Sequence, residues 1–100
     1  MAGADAIASA VGSAVRAAAV ELRPDVLAAL DAARATERSE RGRAVLAQLV
    51  DNARIAAHDR VPLCQDTGTV WVWVELGAEE APVPGLYDRI DAAVAEAYTE

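Results

Sequence analysis

The chain is 100 residues long, 54% hydrophobic, and carries a formal net charge of −7 at pH 7. Its nine basic residues are all arginines and form no basic stripe, so binding to nucleic acid or to an anionic membrane is not expected. A single cysteine excludes an internal disulfide framework. No stretch has the pattern of a secretion signal or a membrane span, and the cytoplasm is the expected location.

Hydrophobic spacing predicts three helices that together make residues 5–58 helical. Residues 5–22 carry an unbroken apolar stripe. Pro24 is suited to the first position of a second helix, and Ser39 is suited to cap a third one. Helical spacing returns towards the C-terminus and predicts a fourth helix over residues 86–98.

The apolar period changes to two between residues 69 and 76, and this alternation of valine and tryptophan predicts a β-strand. Both edges of a strand need hydrogen-bonded partners, so the sheet would be completed elsewhere. We therefore predict an α+β fold, with N-terminal helices, one strand and a last helix, as a fragment of a larger domain. Trp71 and Trp73 share a strand face, where packing under a helix or another layer is expected and a subunit contact is the alternative.

Cys64 lies in a loop that Pro62 stiffens, between the third helix and the predicted strand. Free cysteine is often buried, so one interpretation makes it a core residue. A nucleophile would need a base, yet His58 is better explained as a solvated helix-end residue, and the charge of Asp66 opposes a thiolate. A metal ligand is the third interpretation, because thiolates suit zinc, copper(I) and iron–sulfur clusters. Spacing alone favours the core interpretation and leaves the others open.

The stretch NARIAAHDRVPLCQDTGTVWVWVELG, residues 52–77, resembles the signature of the iron–sulfur-dependent hydro-lyases. This family comprises the class I fumarate hydratases and the alpha subunit of L(+)-tartrate dehydratase. Its pattern is a helix end N-A-x-x-A, then P-x-C-Q-D-T-G, then a hydrophobic strand that ends in glycine. The matching positions are Asn52, Ala53, Ala56, Pro62, Cys64, Gln65, Asp66, Thr67, Gly68 and Gly77.

The resemblance implies that residues 1–100 are the N-terminal segment of a catalytic alpha domain, with a cluster-ligand loop over residues 61–68. It implies a 4Fe–4S cluster held by three cysteines, of which Cys64 is one and the others lie outside this chain. Gln65 and Asp66 match residues that line the substrate pocket. The resemblance assigns no catalytic base within this chain.

The implied reaction is the reversible hydration or dehydration of a 2-hydroxy dicarboxylate, either malate/fumarate or tartrate to oxaloacetate, with a cluster iron as Lewis acid. The expected partners are that substrate and the remainder of the enzyme or a beta subunit, in a homodimer or an alpha–beta assembly. The chain alone is expected to be inactive. The alternative is a non-catalytic, truncated helical interaction module in which Cys64 is a buried core residue.

Overall fold

The computed structural model describes residues 3–80 and 82–99, and the regular elements within them are helices. This part of the chain forms four: α1 (Ala4–Val20), α2 (Pro24–Thr36), α3 (Glu40–Asp59) and α4 (Leu86–Ala97). The helices lie where the hydrophobic spacing predicts them, with ends that differ by a residue or two. None of the described helices is both long enough and apolar enough to cross a membrane.

Local signals explain where α2 and α3 begin and end. Pro24 opens α2, and Asp25 lies in its first turn, where a carboxylate interacts favourably with the helix dipole. The hydroxyl of Ser39 accepts a hydrogen bond from the Gly42 amide at 3.1 Å and so caps α3. Arg60 ends α3 with a φ of 57° and a ψ of 45°, a left-handed conformation that stops the helical hydrogen-bond pattern.

The described residues divide into two compact units, which we call the central and the terminal unit. The central unit is Ala18–Thr67, and in it α2 packs against α3. Its core lies mainly on one face of α3, and α2 adds no buried residue. The buried side chains are small, so the apolar area removed from water is modest. They are Val20, Val50, Ala53 and Ala56.

The terminal unit consists of residues 3–17, 68–80 and 82–99. Its two helical parts lie close together, as an ion pair of 2.5 Å between Asp5 of α1 and Arg89 of α4 shows. A Cβ atom added at Gly12 would lie 3.9 Å from the Cβ of Ala93, an ordinary van der Waals distance, so α1 and α4 are in contact at this point. The buried apolar residues are Ala8, Val15, Leu86 and Ile90.

The prediction of a strand over residues 69–76, and of an α+β fold, is wrong: the described residues form helices and no sheet. Residues 69–77 have no regular secondary structure. Alternating valine and tryptophan side chains suit a strand whose two faces have different surroundings. A strand also needs a neighbouring backbone that pairs with its N–H and C=O groups. Within residues 3–80 and 82–99 no second strand supplies one.

The tryptophans of this segment are not packed under a helix as expected. Trp71 is 75% exposed and Trp73 is 81% exposed. Their rings stack on each other instead, with centroids 6.3 Å apart. Val72 and Val74 of the same segment line a shallow groove of about 390 Å³, together with residues of α1. This part of the terminal unit therefore exposes large apolar side chains to solvent.

Candidate functional site

The chain's cysteine lies in the loop that follows α3, residues 61–67, which we call the cysteine loop. Its last four residues form a turn, in which the Thr67 amide donates to the Cys64 carbonyl at 3.1 Å. Gln65 and Asp66 are the two central residues of this turn, and both are exposed. The turn therefore brings together the three residues that the sequence assigns to a site, Cys64, Gln65 and Asp66.

Thr67 closes the turn a second time through its side chain. Its hydroxyl oxygen accepts a hydrogen bond from the Cys64 amide at 3.2 Å. The same oxygen lies 3.6 Å from the Cys64 sulfur, in contact range for a weak hydrogen bond. Because the backbone and side-chain bonds join the same two residues, the direction of the Cys64 side chain is set locally.

The residue before the cysteine is held from two other elements of the central unit. The Leu63 amide donates to the Ala19 carbonyl at the end of α1, at 2.9 Å. The Leu63 carbonyl accepts a hydrogen bond from Asn52 Nδ2 on α3, at 2.8 Å. We call these two bonds the Leu63 clamp. Hydrophobic spacing does not reveal it, because Asn52 and Leu63 are eleven residues apart and meet only in the folded chain.

Charged residues just before the loop, at the end of α3, also pair within the central unit. Arg60 Nη1 lies 3.0 Å from Glu21 Oε1, which links the end of α3 to the segment after α1. His58 Nδ1 lies 2.6 Å from Asp59 Oδ1, and the imidazole is 89% exposed. This agrees with a solvated histidine at a helix end and gives no support to a base beside Cys64.

Cys64 itself is exposed, so the interpretation that makes it a buried core residue is wrong. The alternative function that depends on that burial, an interaction module with Cys64 in its core, loses its premise. An exposed thiol in a fixed turn has the donor chemistry of a ligand for a soft metal centre. Within the described residues no three His, Cys, Asp or Glu side chains are grouped to hold a metal ion by themselves.

Comparison with known proteins decides the family. The sequence profile of the family described as fumarate hydratase (Fumerase) matches residues 8–100, nearly the whole chain and all of the cysteine loop. The chain belongs to the fumarate hydratase family. The family prediction made from the stretch around Cys64 is thereby confirmed.

A curated relative from Methanocaldococcus jannaschii bears the name "Putative L(+)-tartrate dehydratase subunit alpha". It is 42% identical to this chain over 62 residues, which are 62% of this chain and 22% of the relative. The aligned part thus spans about a fifth of that relative's length. No solved structure matches the chain.

Proposed function

We propose that this member of the fumarate hydratase family is part of an iron–sulfur hydro-lyase that acts on a 2-hydroxy dicarboxylate. Malate/fumarate is one candidate pair, and the conversion of tartrate to oxaloacetate is the other. The observation that carries the proposal is the exposed Cys64 thiol, held in a hydrogen-bonded turn inside the segment that matches the family. We place the enzyme in the cytoplasm, where free thiols stay reduced.

Cys64 would be one of three cysteine ligands of a 4Fe–4S cluster. Its donor chemistry fits, since a thiolate is the ligand that iron–sulfur clusters use and this thiol is accessible. The cluster would supply a Lewis-acidic iron for the hydroxyl group that leaves. The other two cysteines would come from the remainder of the enzyme or from a beta subunit, in a homodimer or an alpha–beta assembly.

Gln65 and Asp66 would contact the substrate beside that ligand. Dehydration breaks the C–O bond of the hydroxyl and removes a proton from the adjacent carbon, so that water leaves and a C=C bond forms. The Gln65 amide can donate to a substrate carboxylate, and the Asp66 carboxylate can accept from the substrate hydroxyl. Their exposed positions at the tip of the turn leave both groups accessible to a small dicarboxylate.

The test uses the complete gene product, reconstituted anaerobically with iron and sulfide, and the variant Cys64→Ser beside it. The control is Ala57→Ser, which introduces the same hydroxyl at an exposed position of α3 in the same unit. Fumarate, malate and L(+)-tartrate are offered in turn, and the product is measured.

The wild type and the control are expected to bind iron and to convert at least one of these substrates. Cys64→Ser is expected to lose at least 100-fold in activity, because a cluster that lacks one thiolate is not held in place. Full iron content and full activity in Cys64→Ser would contradict the proposal. A wild type that binds a cluster but converts none of the three acids would contradict the substrate class.

A further inference from the structure

The Leu63 clamp fixes the peptide unit that leads into Cys64. Its two bonds satisfy both polar backbone groups of Leu63. The amide donates to the Ala19 carbonyl, and the carbonyl accepts from the Asn52 side chain. Of the two partners, Ala19 contributes only its backbone, so its identity can change without loss of the bond. Asn52 contributes its side chain, and the bond therefore depends on this particular residue.

Asn52 is well placed to act as a rigid reference. It lies in α3, which runs over Glu40–Asp59, and its neighbour Ala53 is 3% exposed in the core of the central unit. From this helix the amide nitrogen reaches the Leu63 carbonyl at 2.8 Å. The carbonyl belongs to the peptide bond whose amide is that of Cys64, and this amide in turn donates to Thr67 Oγ1.

The cysteine is therefore held from both directions along the chain. Thr67 acts from the C-terminal side, within the turn, and it moves together with the turn. Asn52 acts from outside the turn and ties it to a helix. The Asn52 contact, together with the bond from the Leu63 amide to Ala19, sets where the thiol lies relative to the rest of the central unit.

We infer that Asn52 is a positioning residue for the Cys64 thiol, acting through the Leu63 carbonyl. This inference rests on the proposed function, in which Cys64 is a cluster ligand. The contact requires a donor, because a carbonyl oxygen only accepts. Aspartate has nearly the shape of asparagine but would direct a charged acceptor at the Leu63 carbonyl, so this bond of the clamp would be lost while the Leu63–Ala19 bond remains.

The test compares three variants of the complete gene product. Asn52→Asp removes the donor, and Asn52→Gln keeps an amide on a longer side chain. Gln48→Glu is the matched control, because Gln48 is an exposed residue one turn earlier on α3 and the substitution makes the same change in charge. Cys64→Ser is included to report on the proposed function itself.

Two readouts separate positioning from general stability. The first is hydrogen exchange of the backbone amides of Val61 and of residues 63–67 in the protein without cluster, with exchange in α3 as the internal reference. The second is the rate at which a chelator removes iron from the reconstituted protein, together with the electron paramagnetic resonance spectrum of the cluster.

Asn52→Asp is expected to speed exchange in the cysteine loop about tenfold while exchange in α3 stays as in the wild type. It is also expected to speed iron release about tenfold and to alter the spectrum, as the loss of a supporting contact does at other metal sites. Asn52→Gln should restore most of both values, and Gln48→Glu should match the wild type.

If Asn52→Asp matches Gln48→Glu in loop exchange and in iron release, the inference is overturned. If Asn52→Asp speeds loop exchange but Cys64→Ser retains the cluster, the clamp exists and the proposed function fails instead. A uniform acceleration of exchange across α3 and the loop would mean that Asn52 only stabilises the helix, and that result also overturns the inference.

Discussion

The cysteine loop and the segment over residues 69–77 follow each other in the sequence, yet they differ sharply in how they are held. The loop is short, and contacts of the central unit hold it through Asn52, Ala19 and Thr67. The segment is strongly apolar, and Trp71 and Trp73 are the most exposed of its large apolar side chains.

The difference lies in where each region finds its hydrogen-bond partners. A four-residue turn closes on itself, so its bonds form whenever the local sequence allows them. A strand forms its hydrogen bonds only with another strand, which the segment itself does not supply. Apolar residues in the right period are therefore not enough to make a strand, whereas a threonine three residues after a cysteine is enough to brace a turn.

The first prediction compares two valines, one from each unit. Val50 is completely buried in the central unit, whereas Val74 is 38% exposed in the apolar segment. Val50→Ala should lower the free energy of unfolding by about 2 kcal/mol, because it removes buried methyl groups and leaves a cavity. Val74→Ala should change it by less than about 0.5 kcal/mol. Urea denaturation followed by circular dichroism measures the free energy of unfolding of both variants. Equal decreases in the two variants would contradict the difference in packing between the units.

The second prediction concerns the bracing of the turn. Thr67→Val removes the oxygen that accepts from the Cys64 amide and contacts its sulfur. Thr67→Val should lower the free energy of unfolding by about 1 kcal/mol and speed hydrogen exchange of the Cys64 amide. Thr67→Ser keeps the hydroxyl and should leave the free energy of unfolding and the exchange rate as in the wild type. Hydrogen exchange followed by nuclear magnetic resonance reports on this amide. A serine variant as damaged as the valine variant would show that the methyl group, and not the hydroxyl, is what matters.

A smaller effect is expected at the stacked tryptophans. Because Trp71 is mostly exposed, Trp71→Ala removes little beyond its contact with the ring of Trp73. The free energy of unfolding of this chain should fall by about 0.5–1 kcal/mol. The fluorescence of the remaining tryptophan should be quenched by acrylamide nearly as well as that of free tryptophan. A loss above about 3 kcal/mol, as for a buried aromatic ring, would contradict the exposure described here.

The smallest effect is expected at the start of α2. The Arg23 guanidinium, hydrogen-bonded to Asp25, holds the pKa of that carboxyl below its ordinary value, and the Val26 amide acts in the same direction. A carboxyl whose pKa is lower in the folded state stabilises the fold above its unfolded pKa, and this contribution is lost as the pH falls through the folded pKa. Asp25→Asn should thus lower the melting temperature slightly at pH 7 and not at all in strong acid. A difference that stays constant across this range would contradict the assignment.

The helices are well predicted from the sequence because their signals are local. Pro24 at the start of α2 and Ser39 at the cap of α3 act within one turn of the chain. The α+β fold class is wrong for the opposite reason, since the fate of residues 69–76 depends on a backbone partner that this pattern does not encode. The prediction that Trp71 and Trp73 are packed is wrong for the same reason, because that packing requires a sheet with another layer above it.

The site shows the same division. Cys64, Gln65 and Asp66 are adjacent in the sequence, so their presence in one turn could be predicted, and their roles stay predictions. The exposure of Cys64 could not be predicted, because free cysteine is usually buried. Asn52 stands in the segment that resembles the family, but its bond to Leu63 requires α3 and the loop to meet. Tertiary contacts of this kind leave no periodic signal.

The measurement that tests the central claim most directly is the number of cluster irons per polypeptide in the anaerobically reconstituted complete gene product, with and without the Cys64 thiol. The wild type and Ala57→Ser should each bind a full cluster with its visible absorption. Cys64→Ser should bind far less iron and lose that absorption, because under the proposed function it removes one of three thiolate ligands. A Cys64→Ser protein with the same iron content and the same spectrum as the wild type would contradict the account.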